Sequence, residues 1–295
     1  MKSLLFVPAD SERKLAKAAG AGADALAFDL EDSVLPDRKP LARRMLADYA
    51  MSYRGASQFL VRVNDLASGE ILKDLAAAIP LAPAGIVLPK IRGPEDLLAV
   101  SHYLDMAEAM AGMAMGSIAI YAVCTETPSA VLRMGELRAG AFPRLKGMLW
   151  GGEDLSSAMG AGDPRTPDGR WRPVYEHARI QCLLACHALE IEAIDTVYVD
   201  FKDPEGCKRN SEAARYDGFT GKVAIHPDQV PLINAAFTAS AEELAQAQRV
   251  VAAFAGGAGA VSLDGKMLDV PHLKGALRML ASATRSASNK SGEQK

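Results

Sequence analysis

The stretch ALAFDLEDSV, residues 25–34, joins an apolar run to three carboxylates within four residues, Asp29, Glu31 and Asp32. An apolar run without polar alternation is typical of a strand that is buried on both faces of a parallel sheet. Polar residues directly after such a strand lie where the functional loops of α/β barrels begin. The stretch therefore predicts a parallel sheet and a polar site at the carboxyl end of one of its strands.

Similar apolar runs recur along the chain, and each is followed by polar residues and then by a stretch with helical periodicity. The other runs are SLLFVPA (3–9), FLVRVN (59–64), GIVLPK (85–90), SIAIYAVCTE (117–126), GMLWGGED (147–154), DTVYVD (195–200) and KVAIHP (222–227). Eight such units match a (β/α)8 barrel better than an open doubly wound sheet. We therefore predict an α/β protein whose residues 1–237 form a TIM barrel.

The pattern changes after residue 237. SAEELAQAQRVVAAF (240–254) opens with a capping-box pair, Ser240 and Glu243, and predicts a helix. VSLDGKML (261–268) predicts a hairpin about an Asp-Gly turn, and DVPHLKGALRMLASA (269–283) predicts a last helix. We expect a C-terminal helix-hairpin-helix extension over residues 238–285 and a disordered tail over residues 286–295.

Composition and charge exclude several classes of protein. The chain has 295 residues, of which 49% are hydrophobic and 23% charged, as in ordinary globular proteins. A net charge of -3 offers no basic surplus for nucleic acid, and the apolar runs are too short for a membrane span. We expect no signal peptide, and the four cysteines lack metal-binding spacing. These features favour reduced thiols in a cytoplasmic or organelle-matrix protein, and we expect a cytoplasmic location.

Acidic residues end several of the predicted strands. In a parallel barrel the carboxyl ends of the strands meet at one face, so these side chains should converge. Clustered carboxylates repel one another unless a cation lies among them, and the lack of a His or Cys cluster favours Mg2+ over zinc. We predict that Glu126 and Asp154 bind Mg2+, with Mn2+ as the alternative ion. Glu31 and Asp32 would then hold the waters of the metal.

Two further features of the same rim suit an anionic substrate. The planar guanidinium of Arg62 can bind a carboxylate through two parallel hydrogen bonds. The turn GGED (151–154) brings the backbone N–H groups around Gly152 and Glu153 within reach of an anion. Together with the metal, these groups predict a pocket for a small 2-oxo or 2-hydroxy acid.

Each of these residues also has an ordinary structural interpretation. Glu126 taken alone could be a solvated loop residue or a helix cap, Arg62 a structural ion pair, and Lys90 a surface lysine. Asp269 could cap the final helix, which the following Pro271 supports. The functional interpretation is favoured because the polar residues fall at the same phase of their strand–helix units.

The motifs resemble, in order, those of the citrate lyase beta-subunit-like branch of the HpcH/HpaI aldolase superfamily. They are SLLFVPADSERKLAKA, DALAFDLEDSVLPDRKPLARR, LVRVND, GIVLPKI, AVCTETPSAV, LWGGEDLSSAMGA, AIHPDQV and DGKMLDVPHLKGA, and they span about residues 3–276. The resemblance implies a TIM barrel, often trimeric or hexameric, that uses Mg2+ to make or break a carbon–carbon bond between an acyl-CoA and a 2-oxo acid. Citryl-CoA, malyl-CoA and citramalyl-CoA lyases are of this kind.

The resemblance also implies roles for individual residues. Glu126 of TETP and Asp154 of GGEDL match the metal ligands, and Arg62 of VRVN matches the clamp for the substrate carboxylate. Asp269 of KMLDVPH matches a residue that, in relatives, reaches the active site of a neighbouring subunit and handles the proton on the acyl-CoA methyl carbon. The extension that carries Asp269 would accordingly pack on a neighbouring subunit of a homotrimer or hexamer.

Two further features concern the binding of CoA and the choice of substrate. Cations at the rim suit the phosphates of CoA, and we expect Arg13, Lys14 and Lys90 to bind them. The long Pro/Gly-rich segment 160–179 is the kind of loop that closes over a substrate, and we expect it to select the substrate.

Three other activities are compatible with the same residues. They are a metal-dependent aldolase acting on free hydroxy-oxo acids, a malyl-CoA thioesterase-like hydrolase, and a citrate lyase beta subunit that requires partner chains. Asp269 and its hairpin argue against the first, because that branch of the superfamily lacks such a cap on the CoA side. A retained metal site and proton-handling residue argue against a purely structural role, although dependence on partner chains stays open.

Overall fold

A barrel of parallel strands forms the centre of the larger part of the chain. The structure is a computed structural model that describes residues 1–257 and 259–291. Within these residues, eight strands close a barrel in chain order. They are β1 (Ser3–Pro8), β2 (Ala25–Asp29), β3 (Gln58–Arg62), β4 (Gly85–Leu88), β5 (Ala119–Val123), β6 (Leu145–Leu149), β7 (Glu192–Asp195) and β8 (Gly221–Ala224). The predicted TIM barrel is confirmed.

Helices follow the strands and cover the outside of the barrel. They are α1 (Glu12–Ala18), α2 (Lys39–Ser52), α3 (Ile71–Ala78), α4 (Pro94–Met110), α5 (Pro128–Arg133), α6 (Gly152–Ala158), α7 (Pro173–Leu189), α8 (Pro204–Asp217) and α9 (Gln229–Ala236). Local sequence explains their starts. In α4, for example, Pro94 occupies the first turn together with Glu95 and Asp96, where a missing N–H and negative charges are both favourable.

The two faces of each strand are buried in different apolar layers. In β2, Ala25 and Ala27 pack inside the barrel with residues such as Leu60 and Val87. Leu26 and Phe28 of the same strand pack outward against the helices. Because both faces are apolar, the usual alternation of a half-buried strand is lost, which is why the runs in the sequence are continuous.

The seventh strand lies earlier in the chain than the sequence predicts. We expected it at residues 195–200, whereas β7 spans Glu192–Asp195 and pairs with β6 and β8 there. The β-branched residues that follow form the loop at the carboxyl end, where Val199 is half-exposed. Pairing with the neighbouring strands therefore overrides the local β-propensity of Val197 to Val199.

A buried polar network is centred on Asp195, the last residue of β7. The side chain of Lys222, which is fully buried, donates to Asp195 Oδ2 at 2.5 Å and to the carbonyl of Thr196 at 2.6 Å. Trp150 Nε1 donates to Asp195 Oδ1 at 2.7 Å, and Arg179 Nε lies 3.3 Å from the same oxygen. Although burial raises the pKa of Asp195, the charges of Lys222 and Arg179 bring it below its usual value. The carboxylate is thus kept ionised inside the protein by its partners.

A second buried ion pair gives a pH-dependent prediction. Glu108 accepts from both terminal nitrogens of Arg144, at 2.7 and 2.6 Å, and from the backbone N–H groups of Gly116 and Ile118. Although burial raises the pKa of Glu108, these bonds lower it to about 2. A lowered folded-state pKa stabilises the protein above the ordinary glutamate pKa, and this stabilisation disappears as the pH falls towards 2.

We therefore expect Glu108→Gln to reduce the free energy of unfolding most at neutral pH, with a difference from the wild type that shrinks as the pH falls from about 5 towards 3. Urea unfolding at several pH values measures this difference. Glu205→Gln, at an exposed position, is the matched control and should show no such trend. A difference that grows at lower pH would contradict the assigned direction of the pKa shift.

The chain divides into two compact units, Met1–Phe237 and Thr238–Lys295. In the second unit, α10 (Ala241–Ala253) begins with the predicted capping box of Ser240 and Glu243. The hairpin of β9 (Ala260–Leu263) and β10 (Lys266–Asp269) turns at Asp264 and Gly265, both with positive φ, as a tight Asp-Gly turn requires.

The last helix is longer than the sequence predicts. Helix α11 spans Val270–Ser291, so residues 286–291, which we expected to be disordered, continue it. Extending an existing helix costs less than starting one, which explains why a polar segment can follow the helical path. Residues 292–295 of the predicted tail lie outside the described residues. No helix in the described part of the chain is both long and apolar enough to cross a lipid bilayer.

Candidate active site

The acids after β2 are held by an arginine of the adjacent strand. Asp29 lies opposite Arg62 in the register of β2 and β3. Arg62 donates through Nε and Nη2 to the two carboxylate oxygens of Asp29, at 2.7 and 2.6 Å. Although burial raises the pKa of Asp29, the guanidinium lowers it below its ordinary value. Asp29 also accepts from the backbone N–H of Glu31 and so fixes the start of the acidic loop.

This contact gives Arg62 a structural partner in addition to the substrate carboxylate expected from the sequence. Nε and one N–H of Nη2 bind Asp29, because the two residues are neighbours in strand register. The structural ion pair considered as the alternative is present. Nη1 lies 3.1 Å from Glu31 Oε2. The N–H groups of Nη1 and the second N–H of Nη2 form the edge that Arg62 can offer to an incoming anion.

Glu126 lies in the loop after β5 with its side chain turned into the barrel rim. It is buried, and its Oε2 accepts from the backbone N–H of Lys90 at 2.6 Å. The neighbouring Thr127, not Glu126, caps α5 by accepting from the N–H of Ala130. Burial, together with the charges of Asp154 and Glu31, raises the pKa of Glu126 well above its usual value. The site is therefore short of positive charge at this carboxylate.

Asp154 lies in the first turn of α6, directly after β6, and is half-buried. The two glycines before it allow close approach of side chains. A methyl group on Gly151 would lie 3.0 Å from Cγ of Glu126, and one on Gly152 would lie 2.6 Å from the Trp171 ring. Neither glycine has a positive φ, so the turn does not take the left-handed form expected of an anion-binding nest. Glu153, in the same turn, is exposed.

Lys90 joins the acids of three loops. Its ammonium forms ion pairs with Glu31 and with Asp32, the latter at 2.6 Å, and lies 3.5 Å from Asp154 Oδ1. The ammonium that we expected to bind CoA phosphates is thus paired with carboxylates of the chain itself. Burial raises the pKa of Glu31, although Arg62 and Lys90 offset part of the effect. The buried Oε2 of Glu31 has only the ion-pair contact with Arg62 Nη1 at 3.1 Å and accepts no hydrogen bond within the described residues.

These side chains fit a magnesium ion better than a metal that needs many protein ligands. Within residues 1–257 and 259–291, no group of three or more His, Cys, Asp and Glu side chains is arranged to hold a metal. Mg2+ commonly takes one or two carboxylates and fills its remaining positions with water and substrate oxygens. Glu126 and Asp154 supply two carboxylates at the ends of adjacent strands, and the unbonded oxygen of Glu31 can accept from a metal-bound water.

The long loop before α7 is pinned beside this site. The Trp171 ring packs edge-on against Trp150, with centroids 4.7 Å apart, and covers Gly152. Arg165 stacks over Trp171 at 3.7 Å from the ring centroid, and the two residues form an isolated β-bridge. The loop that we expected to select the substrate is thus ordered next to the turn that carries Asp154.

Three of the predicted residues belong to other elements. Arg13 and Lys14 are exposed on α1, which follows β1. Asp269 belongs to the second unit, where it immediately precedes α11, and its carboxylate lies 2.6 Å from Nδ1 of His272. The sequence analysis missed this pair, which the spacing of three residues at a helix start could have indicated. The bond of Asp29 to Arg62 was not predicted either, because it depends on which residues of β2 and β3 lie opposite each other.

Comparison with known proteins identifies relatives over nearly the whole chain. The family model described as HpcH/HpaI aldolase/citrate lyase matches residues 2–227. A (3S)-malyl-CoA thioesterase of Cereibacter sphaeroides is 35% identical over 96% of this chain and 94% of its own length. The mitochondrial citramalyl-CoA lyase of Rattus norvegicus is 31% identical over 96% of this chain and 86% of its own length. The CitE protein of Mycobacterium tuberculosis, solved with magnesium, acetoacetate and coenzyme A, has a TM-score of 0.78 at 33% identity, covering 96% of this chain and 98% of that chain.

Proposed function

The chain belongs to the HpcH/HpaI aldolase/citrate lyase family, and from this membership we propose that it is a Mg2+-dependent carbon–carbon lyase. Its substrate class is a 3-hydroxyacyl-CoA acid such as citramalyl-CoA, malyl-CoA or citryl-CoA, which it cleaves to an acyl-CoA and a 2-oxo acid, or forms from them. The observation that carries this proposal is the placement of Glu126 and Asp154 at the ends of adjacent strands, both in contact with Lys90. The solved relative with magnesium, acetoacetate and coenzyme A supports it.

The residues of the rim would divide the work of cleavage. Glu126 and Asp154 would hold the ion, while Glu31 and Asp32 would orient its waters. Bound there, Mg2+ would supply Lewis-acid chemistry that draws electron density from the substrate hydroxyl as it becomes a carbonyl. The terminal edge of Arg62, made by Nη1 and the second N–H of Nη2, would bind the carboxylate beside that hydroxyl.

The reaction must also move two protons. The hydroxyl gives up its proton to a base, the adjacent carbon–carbon bond breaks, and its electron pair passes to the methylene carbon next to the thioester. That carbon then takes a proton to give the acyl-CoA. Asp269, carried on the hairpin of the second unit, is the residue that we assign to this protonation, and in the direction of condensation it would remove the proton.

A panel of the three CoA esters, assayed with Mg2+ and with EDTA, tests the proposal. The purified chain should release a 2-oxo acid from at least one ester, in equal amount to the acyl-CoA, and EDTA should abolish the release. Cleavage of free hydroxy-oxo acids without CoA would favour a metal-dependent aldolase. If no ester is cleaved until citrate lyase partner chains are added, the chain is a subunit of that complex rather than an independent lyase.

Thioester hydrolysis is a second candidate, because a similar relative is a (3S)-malyl-CoA thioesterase. The same assay separates the two reactions by their products. A lyase releases no free thiol, since the acyl-CoA product keeps its thioester, whereas a hydrolase releases CoA as a thiol together with the hydroxy acid. Measuring the free thiol and the 2-oxo acid in parallel therefore decides between them.

The assigned role of Asp269 makes a prediction about proton transfer. Asp269→Asn keeps the size of the side chain but removes its ability to exchange a proton, so we expect turnover to fall roughly a hundredfold. Exchange of the methyl protons of the acyl-CoA product with deuterated solvent should fall by a similar factor. Mg2+ affinity should stay unchanged, because Glu126 and Asp154 are intact. Full turnover by this variant would remove Asp269 from the mechanism.

Assembly, CoA binding and location complete the proposal. We assign the second unit to contact with a neighbouring subunit of a homotrimer or hexamer, because its exposed Asp269 must meet a substrate. Arg13 and Lys14 are exposed cations suited to CoA phosphates. A cytoplasmic location agrees with the cysteines of the described residues, which are free and buried.

A further inference from the structure

The backbone of Lys90 adopts a conformation that few lysines have. Its φ is 50°, in the left-handed region that favours glycine. This conformation, two residues beyond the end of β4, directs the backbone N–H of Lys90 to Glu126 Oε2 at 2.6 Å. Glycine would supply the same N–H without the steric cost, so the N–H alone does not explain a lysine here.

The side chain of Lys90 contacts the same group of acids from the other direction. Its ammonium is paired with Glu31 and Asp32 and lies 3.5 Å from Asp154 Oδ1. One residue therefore touches both proposed metal ligands and both acids that would orient the metal's waters. It does so with two separate groups, the N–H and the ammonium.

The ammonium has two opposing effects on a divalent cation at Glu126 and Asp154. It restrains the carboxylates, which favours a defined geometry. It also places a positive charge within 3.5 Å of a carboxylate that would bind the ion, which opposes a second cation there. The site is partly buried, since Glu126 and Glu31 are almost inaccessible, so salt screens this repulsion only weakly.

We propose that Lys90 is a positioning residue that holds the four carboxylates in place at the expense of metal affinity, so that its removal tightens divalent-metal binding while it slows turnover. The inference rests on the metal site of the proposed function but not on the identity of the substrate. A merely structural role of Lys90 predicts the opposite change, because disordered ligands bind a metal more weakly.

Titration of the free protein with Mn2+, followed by calorimetry and by the spin-resonance signal of free Mn2+, tests the proposal. We expect Lys90→Met to lower the dissociation constant of Mn2+ roughly tenfold. Lys90→Gly should do the same, and it removes the strain of the left-handed backbone if Lys90→Met folds poorly. Lys90→Arg keeps the positive charge and should bind Mn2+ within about threefold of the wild type.

Lys39→Met is the matched control for the loss of a nearby charge. The Lys39 ammonium donates to the carbonyls of Leu30 and Glu31 and to Asn64 Oδ1, and no carboxylate is among these partners. We expect Lys39→Met to leave the Mn2+ dissociation constant within about twofold of the wild type or to raise it. A decrease as large as that in Lys90→Met would show a diffuse charge effect and overturn the proposal.

The remaining outcomes also decide the matter. Unchanged or weaker Mn2+ binding in both Lys90→Met and Lys90→Gly, or no Mn2+ binding by any form of the protein, would overturn the inference. With a CoA ester that the wild type cleaves, the Lys90→Met and Lys90→Gly variants should show a lower kcat and should reach half of their maximal rate at a lower Mg2+ concentration. Tighter Mn2+ binding without cleavage of any CoA ester would leave the inference standing and reject the proposed function instead.

Discussion

Replacing Glu126 by Gln is expected to lower the turnover of the cleaved CoA ester about a thousandfold. The substitution keeps the size of the side chain, and its amide oxygen can still accept from the N–H of Lys90. It removes the negative charge that, with Asp154, would hold the metal. Turnover at saturating ester, measured as release of the 2-oxo acid over a range of Mg2+ concentrations, checks the prediction.

The stability of the same variant gives an independent prediction. Burial, Asp154 and Glu31 raise the pKa of Glu126, which means that its ionised form is unfavourable in the folded protein without a metal. In EDTA at pH 8, Glu126→Gln should therefore unfold at a temperature equal to or above that of the wild type. Glu205→Gln, at an exposed position, should change neither property. Full Mg2+-dependent turnover by Glu126→Gln would place the metal elsewhere.

Loss of the Lys222 ammonium is expected to destabilise the protein by about 3–5 kcal/mol, the range seen when one partner of a buried ion pair is removed. Lys222→Met preserves most of the apolar side chain but leaves Asp195 Oδ2 without its donor. The carboxylate stays buried, and its bonds to Trp150 and Arg179 serve only the other oxygen. Urea unfolding at neutral pH measures the change.

Two further variants show whether the loss of stability comes from the Asp195 carboxylate that has lost its Lys222 partner. Adding Asp195→Asn to Lys222→Met should recover part of the lost stability, because the double variant buries no unpaired charge. Lys146→Met, at an exposed position of β6, should change stability by no more than about 0.5 kcal/mol. Equal costs for the single and double variants would indicate a packing defect instead.

The barrel could be predicted because its physical signature is local. Strands such as β2 bury Ala25 and Ala27 on one face and Leu26 and Phe28 on the other, so the continuous apolar runs are visible in the sequence. The start of β7 could not be read in the same way. Val197 to Val199 favour a strand locally, but the pairing of Ile194 and Asp195 with β8 fixes the strand earlier in the chain.

The convergence of the acidic residues at one end of the barrel could be predicted from the sequence, whereas their hydrogen-bond and ion-pair partners could not. Placing polar residues at the ends of strands brought Glu31, Glu126 and Asp154 to one rim, because all parallel strands end there. The partners of Arg62 depend on which residue lies opposite it in the sheet, and the reach of Lys90 depends on a backbone φ of 50°. Neither property leaves a pattern in the sequence, since both arise from packing between distant segments.

The docking of Trp171 has a practical consequence for redesign. The Trp171 ring packs between Trp150 and the backbone of Gly152, so the position of the chain is fixed just before α7. Residues 166–170 upstream of that anchor can be exchanged for those of other family members as a cassette, with Arg165, Trp171 and both glycines retained. Libraries confined to this short insert would test whether it selects the substrate while Glu126 and Asp154 stay unchanged.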